Sequence, residues 1–244
     1  MAAAGACPEA RAGAWPLEPG ETLAIVKYER STADQAFDAD GLLAPMPARE
    51  DEQVSLYVER GLTGRLTLQA RAGWTQGADP FVAYEGRGPV ELGLRYAVWE
   101  GERSVASLYL GGALAGEGRN AGYAAPGAGE GDLEARLLLG RSFDWRGRPA
   151  FAEAQLARLE RSGLPDETRL DLALGSEPGV DWLLLTQVFA GRAETASGPR
   201  WVKLEVSAVR RLGAWRLQAG WRAPLAGRSS PAESGPVVGL WRRF

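Results

Sequence analysis

The strongest constraint on the fold is a strict two-residue alternation within residues 201–222, WVKLEVSAVRRLGAWRLQAGWR. Apolar residues take every second position over 202–208 and again over 215–221. This period is typical of β-strands that have one apolar and one polar face. The short break that contains Gly213 predicts a β-hairpin. A soluble sandwich and a membrane barrel, which turns its apolar faces outward to lipid, both fit the pattern.

The same alternation recurs along the chain and predicts twelve strands. Most of them approach the roughly nine to eleven residues that a tilted membrane strand requires. The first six connections alternate between long and short, an arrangement that is typical of barrels with loops on one side and turns on the other. The predicted strands are 22–30, 53–60, 65–74, 90–99, 104–114, 132–140, 149–158, 168–175, 181–191, the two strands of 201–222, and 235–244. We therefore predict an all-β fold, a single antiparallel up-and-down transmembrane β-barrel over residues 21–244, preceded by an irregular segment over residues 1–20.

Composition excludes several classes of function. The 244 residues include no histidine, which removes Ser-His and Cys-His nucleophile pairs, histidine general bases and histidine metal ligands. The single cysteine, Cys7, cannot form an internal disulfide or a cysteine metal cluster. The 28 basic and 31 acidic residues give a net charge of −3, which argues against a nucleic-acid partner. We therefore predict no enzymatic activity, no metal and no cofactor. No apolar run is long enough for a membrane helix, so a chain of this kind would cross a membrane only as a barrel.

The start of the chain lacks the pattern of a signal peptide. Cys7 follows Ala4-Gly5-Ala6, as in a lipoprotein cleavage box, but no charged and apolar segment precedes it. We interpret the first residues as a mature N-terminal segment written without its signal peptide. The sequence leaves open whether Cys7 carries a lipid.

Tryptophans lie at or beside the ends of the predicted strands. Transmembrane barrels place aromatic girdles at the two lipid–water interfaces, whereas a soluble sandwich would also bury tryptophans in mid-strand. None of the nine tryptophans takes such a central position. We predict a girdle of Trp74, Trp99, Trp182, Trp201, Trp215, Trp221 and Trp241.

The predicted inward faces carry charges of both signs. If the apolar faces meet lipid, nine cations and seven anions point into the lumen. They are Lys27, Arg65, Arg71, Arg95, Arg136, Arg169, Lys203, Arg216 and Arg222, against Glu29, Glu59, Glu91, Glu134, Glu153, Asp171 and Glu205. Two interpretations stay open: a charged, water-filled passage, or a lumen narrowed or closed by Arg–Glu pairs on adjacent strands. Because the signs nearly balance, an open lumen would be weakly selective, with Arg95 and Arg136 favouring anions.

Two loop motifs favour plain turns over binding sites. Asp38 and Asp40 have the spacing that begins a calcium loop, but the glutamate required at its twelfth place is missing. We predict an exposed Asp-Gly turn there. Residues 116–121 loosely fit a dinucleotide fingerprint, but no helix can start in the following GYAAPGAGEG, so we predict a flexible loop.

The last residues, GPVVGLWRRF, resemble the C-terminal strand that the barrel-assembly machinery recognises in Gram-negative outer-membrane β-barrels. Phe244 supplies the terminal aromatic residue and Gly239 the glycine five places before it. Arg242 departs from the pattern, because a hydrophobic residue is usual there, and so does Val237, because a polar residue is usual. The segments GAWPLEPGE and FDADG are similar to those of a group of proteobacterial outer-membrane proteins that are porin-like or transporter-like.

This resemblance implies a location in the bacterial outer membrane, with lipid and the assembly machinery as partners, and it brings no catalytic residues. Outer-membrane enzymes of similar size, the phospholipases and the aspartate–histidine proteases, depend on histidine, which this chain lacks. We expect a narrow, weakly selective channel or a transport-associated, porin-like protein that passes a small solute. The alternatives are a non-conducting barrel that binds a partner through its loops, and a soluble β-sandwich or lipocalin-like binding module.

Overall fold

The structure is a computed structural model that describes residues 13–81, 83–114, 116 and 131–244. These residues form fourteen β-strands joined by turns and loops. The strands are β1 (Thr22–Phe37), β2 (Leu43–Gly61), β3 (Leu66–Ala78), β4 (Ala83–Arg87), β5 (Val90–Glu100), β6 (Ser104–Leu114), β7 (Gly131–Trp145), β8 (Arg148–Arg161), β9 (Glu167–Gly179), β10 (Trp182–Ala193), β11 (Arg200–Leu212), β12 (Trp215–Arg228), β13 (Ser230–Pro231) and β14 (Gly235–Arg243). Over the described ranges, no helix is long and apolar enough to cross a membrane. Cys7 and most of the predicted loop around residues 116–121 lie outside those ranges.

The strands close into a barrel. Neighbouring strands pair antiparallel around the sheet, and β1 pairs with both β2 and β14, which joins the two edges. The seam ends on two backbone hydrogen bonds between Thr22 and Phe244, of 2.9 and 3.2 Å. The short strands β4 and β13 pair with β3 and β1 outside the ring, which leaves twelve strands within it. The prediction of a twelve-stranded antiparallel β-barrel is confirmed.

The outer face of the barrel is a continuous apolar band. Leu94 is 45% exposed while its neighbour Arg95, on the inner face, is 1% exposed; Leu110 is 68% exposed and its neighbour Tyr109 5%. Other exposed apolar side chains are Val26, Leu56, Leu92, Leu108, Leu133, Leu139, Leu156, Leu172, Leu184, Val206, Leu217 and Leu240. A water-soluble protein does not leave so large an apolar surface open. The structure therefore excludes the soluble sandwich, whose apolar faces would form a dry core.

The two ends of the barrel differ in their connections. One end, here called the turn end, holds Thr22 and Phe244 and joins its strands by short turns. Arg146 and Gly147, which form one of these turns, have φ angles of 52° and 74°, as a tight two-residue hairpin requires. The opposite end, here called the loop end, carries longer connections such as 194–199. In outer-membrane barrels the short turns lie on the periplasmic side.

The segment 31–51, which lies between the first two predicted strands, is mostly strand. β1 and β2 continue past their predicted ends and remain paired, so that only residues 38–42 connect them. Asp38 Oδ1 accepts hydrogen bonds of 2.9 Å from the amides of Asp40 and Leu42, which forms the turn predicted for this motif. The extension of β2 lacks apolar alternation because residues 43–48 are apolar on both faces and residues 49–52 are charged on both.

Candidate functional site: the barrel lumen

Residues 13–20, here called the inner segment, enter the barrel at the turn end: residues 18–20 are exposed there, and residues 13–17 lie inside. Ala14 and Leu17 are 0% and 3% exposed. The amide of Ala14 donates to Glu153 Oε2 at 2.7 Å, and its carbonyl oxygen accepts a hydrogen bond from Ser107 Oγ at 2.6 Å. Both partners belong to the inner wall. Side chains of the wall thus hold Ala14, whereas at the other end of the segment the amide of Gly20 donates to the carbonyl oxygen of Gly61 at 2.8 Å.

Trp15 is the largest side chain of the inner segment and is 8% exposed. Its ring lies against Gly140 of β7, where an added Cβ would fall 2.6 Å from the ring. It also meets the ring of Phe151 edge-on, with 6.2 Å between the centroids. Glycine at position 140 is therefore needed for the close approach of the indole to the wall.

An apolar cluster fills the lumen around Trp15. Its members are Ala14, Trp15, Ala97, Val105, Tyr109, Leu138, Phe151, Leu183, Leu185 and Val209, with Ala173 and Trp241 packed beside them. They come from strands on opposite sides of the barrel, β5 to β11 and β14. β10 contributes Leu183 and Leu185 because its sequence is apolar on both faces. Interiors packed in this way leave few voids that admit water, so the described residues show a closed lumen at this level.

A buried ion pair joins the wall to the inner segment. Arg95 Nη1 donates to Glu59 Oε1 at 2.6 Å, and both side chains are 1% exposed. Arg95 Nη2 also donates to the carbonyl oxygen of Trp15 at 2.8 Å. Glu59 Oε1 accepts two further hydrogen bonds, from Tyr57 at 2.6 Å and from Gln69 at 2.7 Å. With three donors on one oxygen, the carboxylate is stabilised without water.

A second charged network surrounds Glu205 on β11, which is 0% exposed. Arg222 and Lys27 donate to Glu205 Oε2 at 2.6 and 3.2 Å. Gln218 and Ser207 donate to Oε1 at 3.1 and 3.2 Å. These contacts bring together three of the predicted lumen residues, in a network that is largely shielded from solvent.

Ion pairs between residues of the same strand hold two other inward-facing arginines. Arg136 donates to both oxygens of Glu134, at 2.5 and 2.8 Å, and its guanidinium lies 4.6 Å from the centre of the Tyr109 ring. Arg169 binds Glu167 at 2.5 Å. Both ion pairs join residues two apart on one strand, which point to the same side.

Two cavities lie on the loop-end side of the apolar cluster. The larger, about 200 Å³, extends toward the loop end; the smaller, about 140 Å³, lies against the inner faces of β3 to β9. Arg71 and Glu91 line both, so the cavities adjoin. The charged residues around the larger cavity balance in sign: Arg30, Arg49, Arg71, Lys203 and Arg222 against Glu29, Asp51, Glu52, Glu91 and Glu233.

The predicted charged residues divide into several groups, with two corrections. Glu29, Arg71, Glu91, Glu134, Arg136, Arg169, Asp171, Lys203 and Arg222 line the cavities, Lys27, Glu59, Glu153 and Glu205 are held in the buried contacts, and Arg216 shares the inner face of β12 with Gln218. Arg65 lies outside the lumen, 56% exposed in a short turn and ion-paired with Glu100 at 3.4 Å, because β3 begins only at Leu66. Arg95 faces inward but is buried, so it lines no water-filled space and cannot set ion selectivity.

Five of the predicted girdle tryptophans lie on the outer face. Trp74, Trp99, Trp182, Trp215 and Trp221 are between 40% and 55% exposed. Trp99 reaches this face through an irregularity between Ala97 and Trp99, which shifts the alternation of β5 against β6.

Trp201 and Trp241 are not girdle residues, which corrects the prediction. Trp241 packs beside the apolar cluster and donates to Gln218 Oε1 at 3.0 Å. The ring of Trp201 lies over Gly191 of β10, where an added Cβ would fall 2.2 Å from it. Both tryptophans occupy inward positions of the alternation, and a location near a strand end does not specify the face.

The contacts of Arg242 explain why an arginine fits this position of the C-terminal strand. The guanidinium of Arg242 lies 4.7 and 4.6 Å from the ring centres of Trp215 and Phe244. A cation over aromatic faces, on a stem that can reach the membrane interface, fits a position where a hydrophobic residue is usual. Gly239 faces inward, where an added Cβ would lie 2.8 Å from Gln218 Oε1.

The inner segment is the part of the site that sequence reasoning misses. Gly13, Trp15 and Pro16 carry no alternation, so nothing in their order distinguishes a segment inside the barrel from an exposed one. The available signal is indirect. The strand 181–191 is apolar on both faces, which indicates that part of the inner wall needs an apolar partner.

The closed ring, the apolar outer band and the charged inner face define the class: the fold is that of bacterial outer-membrane β-barrel proteins. The structure is similar to an outer-membrane channel from Pseudomonas putida F1, with a TM-score of 0.72 and 15% identity over 95% of this chain and 98% of that one. It is also similar to the translocator domain of the autotransporter NalP from Neisseria meningitidis, with a TM-score of 0.58 and 11% identity over 93% and 90% of the two chains. The NanC porin gives a TM-score of 0.55 and 6% identity, over 88% of this chain and 98% of its own.

The amino-acid sequence matches no protein-family model and no curated protein. At the identities of the three structures, the similarity extends to the fold alone. The function of this chain is therefore argued from its own residues.

Proposed function

We propose that this protein lies in the bacterial outer membrane as a narrow, weakly selective channel that its own inner segment closes at the turn end. The observation that carries the proposal is the position of Trp15, which lies in an apolar cluster next to two charged cavities. A barrel that served only as a scaffold would have no need of these two adjoining charged cavities, here together called the chamber. The apolar cluster then separates this chamber from the periplasmic end.

Opening requires the inner segment to move, and its contacts allow this without loss of the barrel. The segment accepts hydrogen bonds from Arg95 and Ser107 and donates hydrogen bonds to Thr67 and Glu153. One backbone hydrogen bond, from Gly20 to Gly61, joins its end to the wall, and no strand ladder holds it. Closure of the ring depends instead on the pairing of β1 with β2 and β14. The inner segment can therefore leave the lumen while every strand of the ring stays paired.

Weak selectivity follows from the charges around the larger cavity. Its lining contains five cations and five anions. Strong ion selectivity comes from rings of a single sign. A balanced lining of this kind discriminates little between small anions and cations.

The outer surface and the C-terminal strand are the parts of the protein that we expect to contact its partners. The apolar band contacts lipid, and the exposed Phe244, at the end of the last strand, is the residue that we expect the barrel-assembly machinery to engage. We expect no enzymatic activity, because the chain has no histidine and the outer-membrane enzymes of similar size depend on one.

A non-conducting barrel that binds a partner is the second candidate. The completeness of the apolar cluster favours it, since a lumen that never opens would have the same core. The two candidates predict different electrical behaviour.

The proposal is tested with the refolded full-length protein in planar bilayers under a potassium chloride gradient. We expect discrete openings of small conductance, with a reversal potential close to zero. A conductance as large as that of a general porin would contradict the narrow lumen, and a strongly shifted reversal potential would contradict the weak selectivity. Silence across several independent preparations would favour the non-conducting scaffold.

A further inference from the structure

Three charged side chains around the two cavities make no ion pair and no hydrogen bond within the part of the chain that the structure describes. Around the two cavities, the other charged residues make an ion pair, as Arg222 does with Glu29 at 2.5 Å and Lys203 with Glu233 at 2.7 Å. Arg71, Glu91 and Asp171 line the cavities and make neither an ion pair nor a hydrogen bond to any described residue. In a lumen where charges are otherwise paired, these three groups are available to a ligand.

The backbone places two of the three groups side by side. Arg71 of β3 and Glu91 of β5 are direct partners in the antiparallel register, and both face inward. Residues opposite each other on neighbouring strands have their side chains close together. Because each also lines both cavities, a guanidinium and a carboxylate stand at the junction of the chamber. Asp171 of β9 adds a second carboxylate in the smaller cavity.

We propose that this chamber binds a small dipolar solute that carries a carboxylate and an ammonium group. Arg71 takes the carboxylate, through the paired N–H donors that suit its geometry. Glu91 takes the ammonium group, and Asp171 offers it a second carboxylate in the adjoining cavity. The inference names the solute class of the proposed channel and rests on that function for transport, but binding itself requires no conduction.

A singly charged solute fits the chamber less well. An anion would satisfy Arg71 and bring its charge close to Glu91 without neutralising it. A cation would satisfy Glu91 and leave Arg71 beside an uncompensated positive charge. Partly desolvated charges that stay unpaired oppose binding, so the chamber discriminates against both.

The size of the chamber limits the solute. Cavities of about 200 and 140 Å³ are smaller than the roughly 300–1,000 Å³ of sites for drug-sized ligands. The chamber therefore suits a molecule of amino-acid size rather than an oligosaccharide or a peptide.

The test compares three probes of nearly equal size: alanine, which has both charges, propionate, which has only the carboxylate, and ethylammonium, which has only the ammonium group. Binding of each to the folded full-length protein in detergent is measured by saturation-transfer NMR. We expect alanine to bind at least about tenfold more tightly than either singly charged probe, because a charged hydrogen bond is lost with each. Equal binding of the three probes, or a preference for propionate or ethylammonium, would overturn the proposal.

Variants locate the site. Arg71→Gln and Glu91→Gln should each weaken alanine binding by about tenfold, while Arg65→Gln, in an exposed turn outside the lumen, should leave it unchanged. The exchange Arg71→Glu with Glu91→Arg keeps both charges at the junction, so it should retain more binding than either single reversal. Alanine binding that survives both single neutralisations would refute the assigned residues. Heat-dependent gel migration shows that each variant is folded. A protein that binds alanine but conducts no ions would contradict the proposed channel and leave the proposed binding site supported.

Discussion

Arg95 and Glu59 are joined by a 2.6 Å hydrogen bond inside the barrel, and the same guanidinium donates to the carbonyl oxygen of Trp15. One side chain thus belongs both to the wall and to the closure of the lumen. Because both charges are 1% exposed, neither can be compensated by water when its partner is removed. The pair couples the stability of the barrel to the position of the inner segment.

Arg95→Gln should therefore destabilise the folded barrel by about 3–5 kcal/mol, since it leaves the carboxylate of Glu59 buried without its countercharge. Urea unfolding in lipid vesicles measures this loss. The matched control is Arg65→Gln, which breaks the exposed pair with Glu100 and should cost at most about 1 kcal/mol. Similar losses for the two variants would contradict the buried network.

Leu110 on β6 tests the lipid-facing band. Its side chain is 68% exposed on the outer face, so Leu110→Arg places a charge in the hydrocarbon region and should reduce folding stability in vesicles by about 2–4 kcal/mol. Leu62→Arg makes the same change in a short turn beyond the strands and should cost much less. If the turn variant folds as poorly as the strand variant, the outer face does not meet lipid.

Trp241 and Trp221 test which face each tryptophan occupies. Trp241→Ala removes a ring packed beside the apolar cluster and its hydrogen bond to Gln218, and should destabilise the barrel by about 3 kcal/mol. Trp221→Ala removes a ring that is 55% exposed on the outer face and should cause a smaller loss. The free energies of unfolding in vesicles rank the two variants. A larger loss of stability for Trp221→Ala than for Trp241→Ala would contradict the inward position of Trp241.

The barrel itself was predictable because alternation is a backbone property. A strand with Leu92 and Leu94 on one face and Arg95 on the other requires an apolar environment on one side and a polar one on the other. Twelve such strands joined by short turns can pair the backbone groups of their edge strands by closing into a barrel. The hairpin formed by β11 and β12 follows directly from the same pattern. Exceptions arise at irregularities such as that before Trp99, since one extra residue moves the following side chain to the other face.

The closure of the lumen was not predictable in the same way. The position of Trp15 depends on a groove shaped by Gly140, Phe151 and strands distant in sequence, and periodicity does not describe such packing. Likewise, alternation shows that Arg95 and Arg71 both point inward, but not that one is buried with Glu59 while the other lines a cavity. Their different roles depend on the level at which the apolar cluster fills the barrel.

If the inner segment closes the lumen, removal of the Trp15 ring should raise the single-channel conductance. Wild type, Trp15→Ala and a variant truncated before residue 21 are refolded and recorded in planar bilayers. The control is Trp145→Ala, which changes an exposed tryptophan at the turn end of β7. We expect conductance to rise from wild type to Trp15→Ala and again in the truncated variant, while Trp145→Ala equals wild type. A truncated barrel that folds and conducts no more than wild type would contradict closure of the lumen by the inner segment.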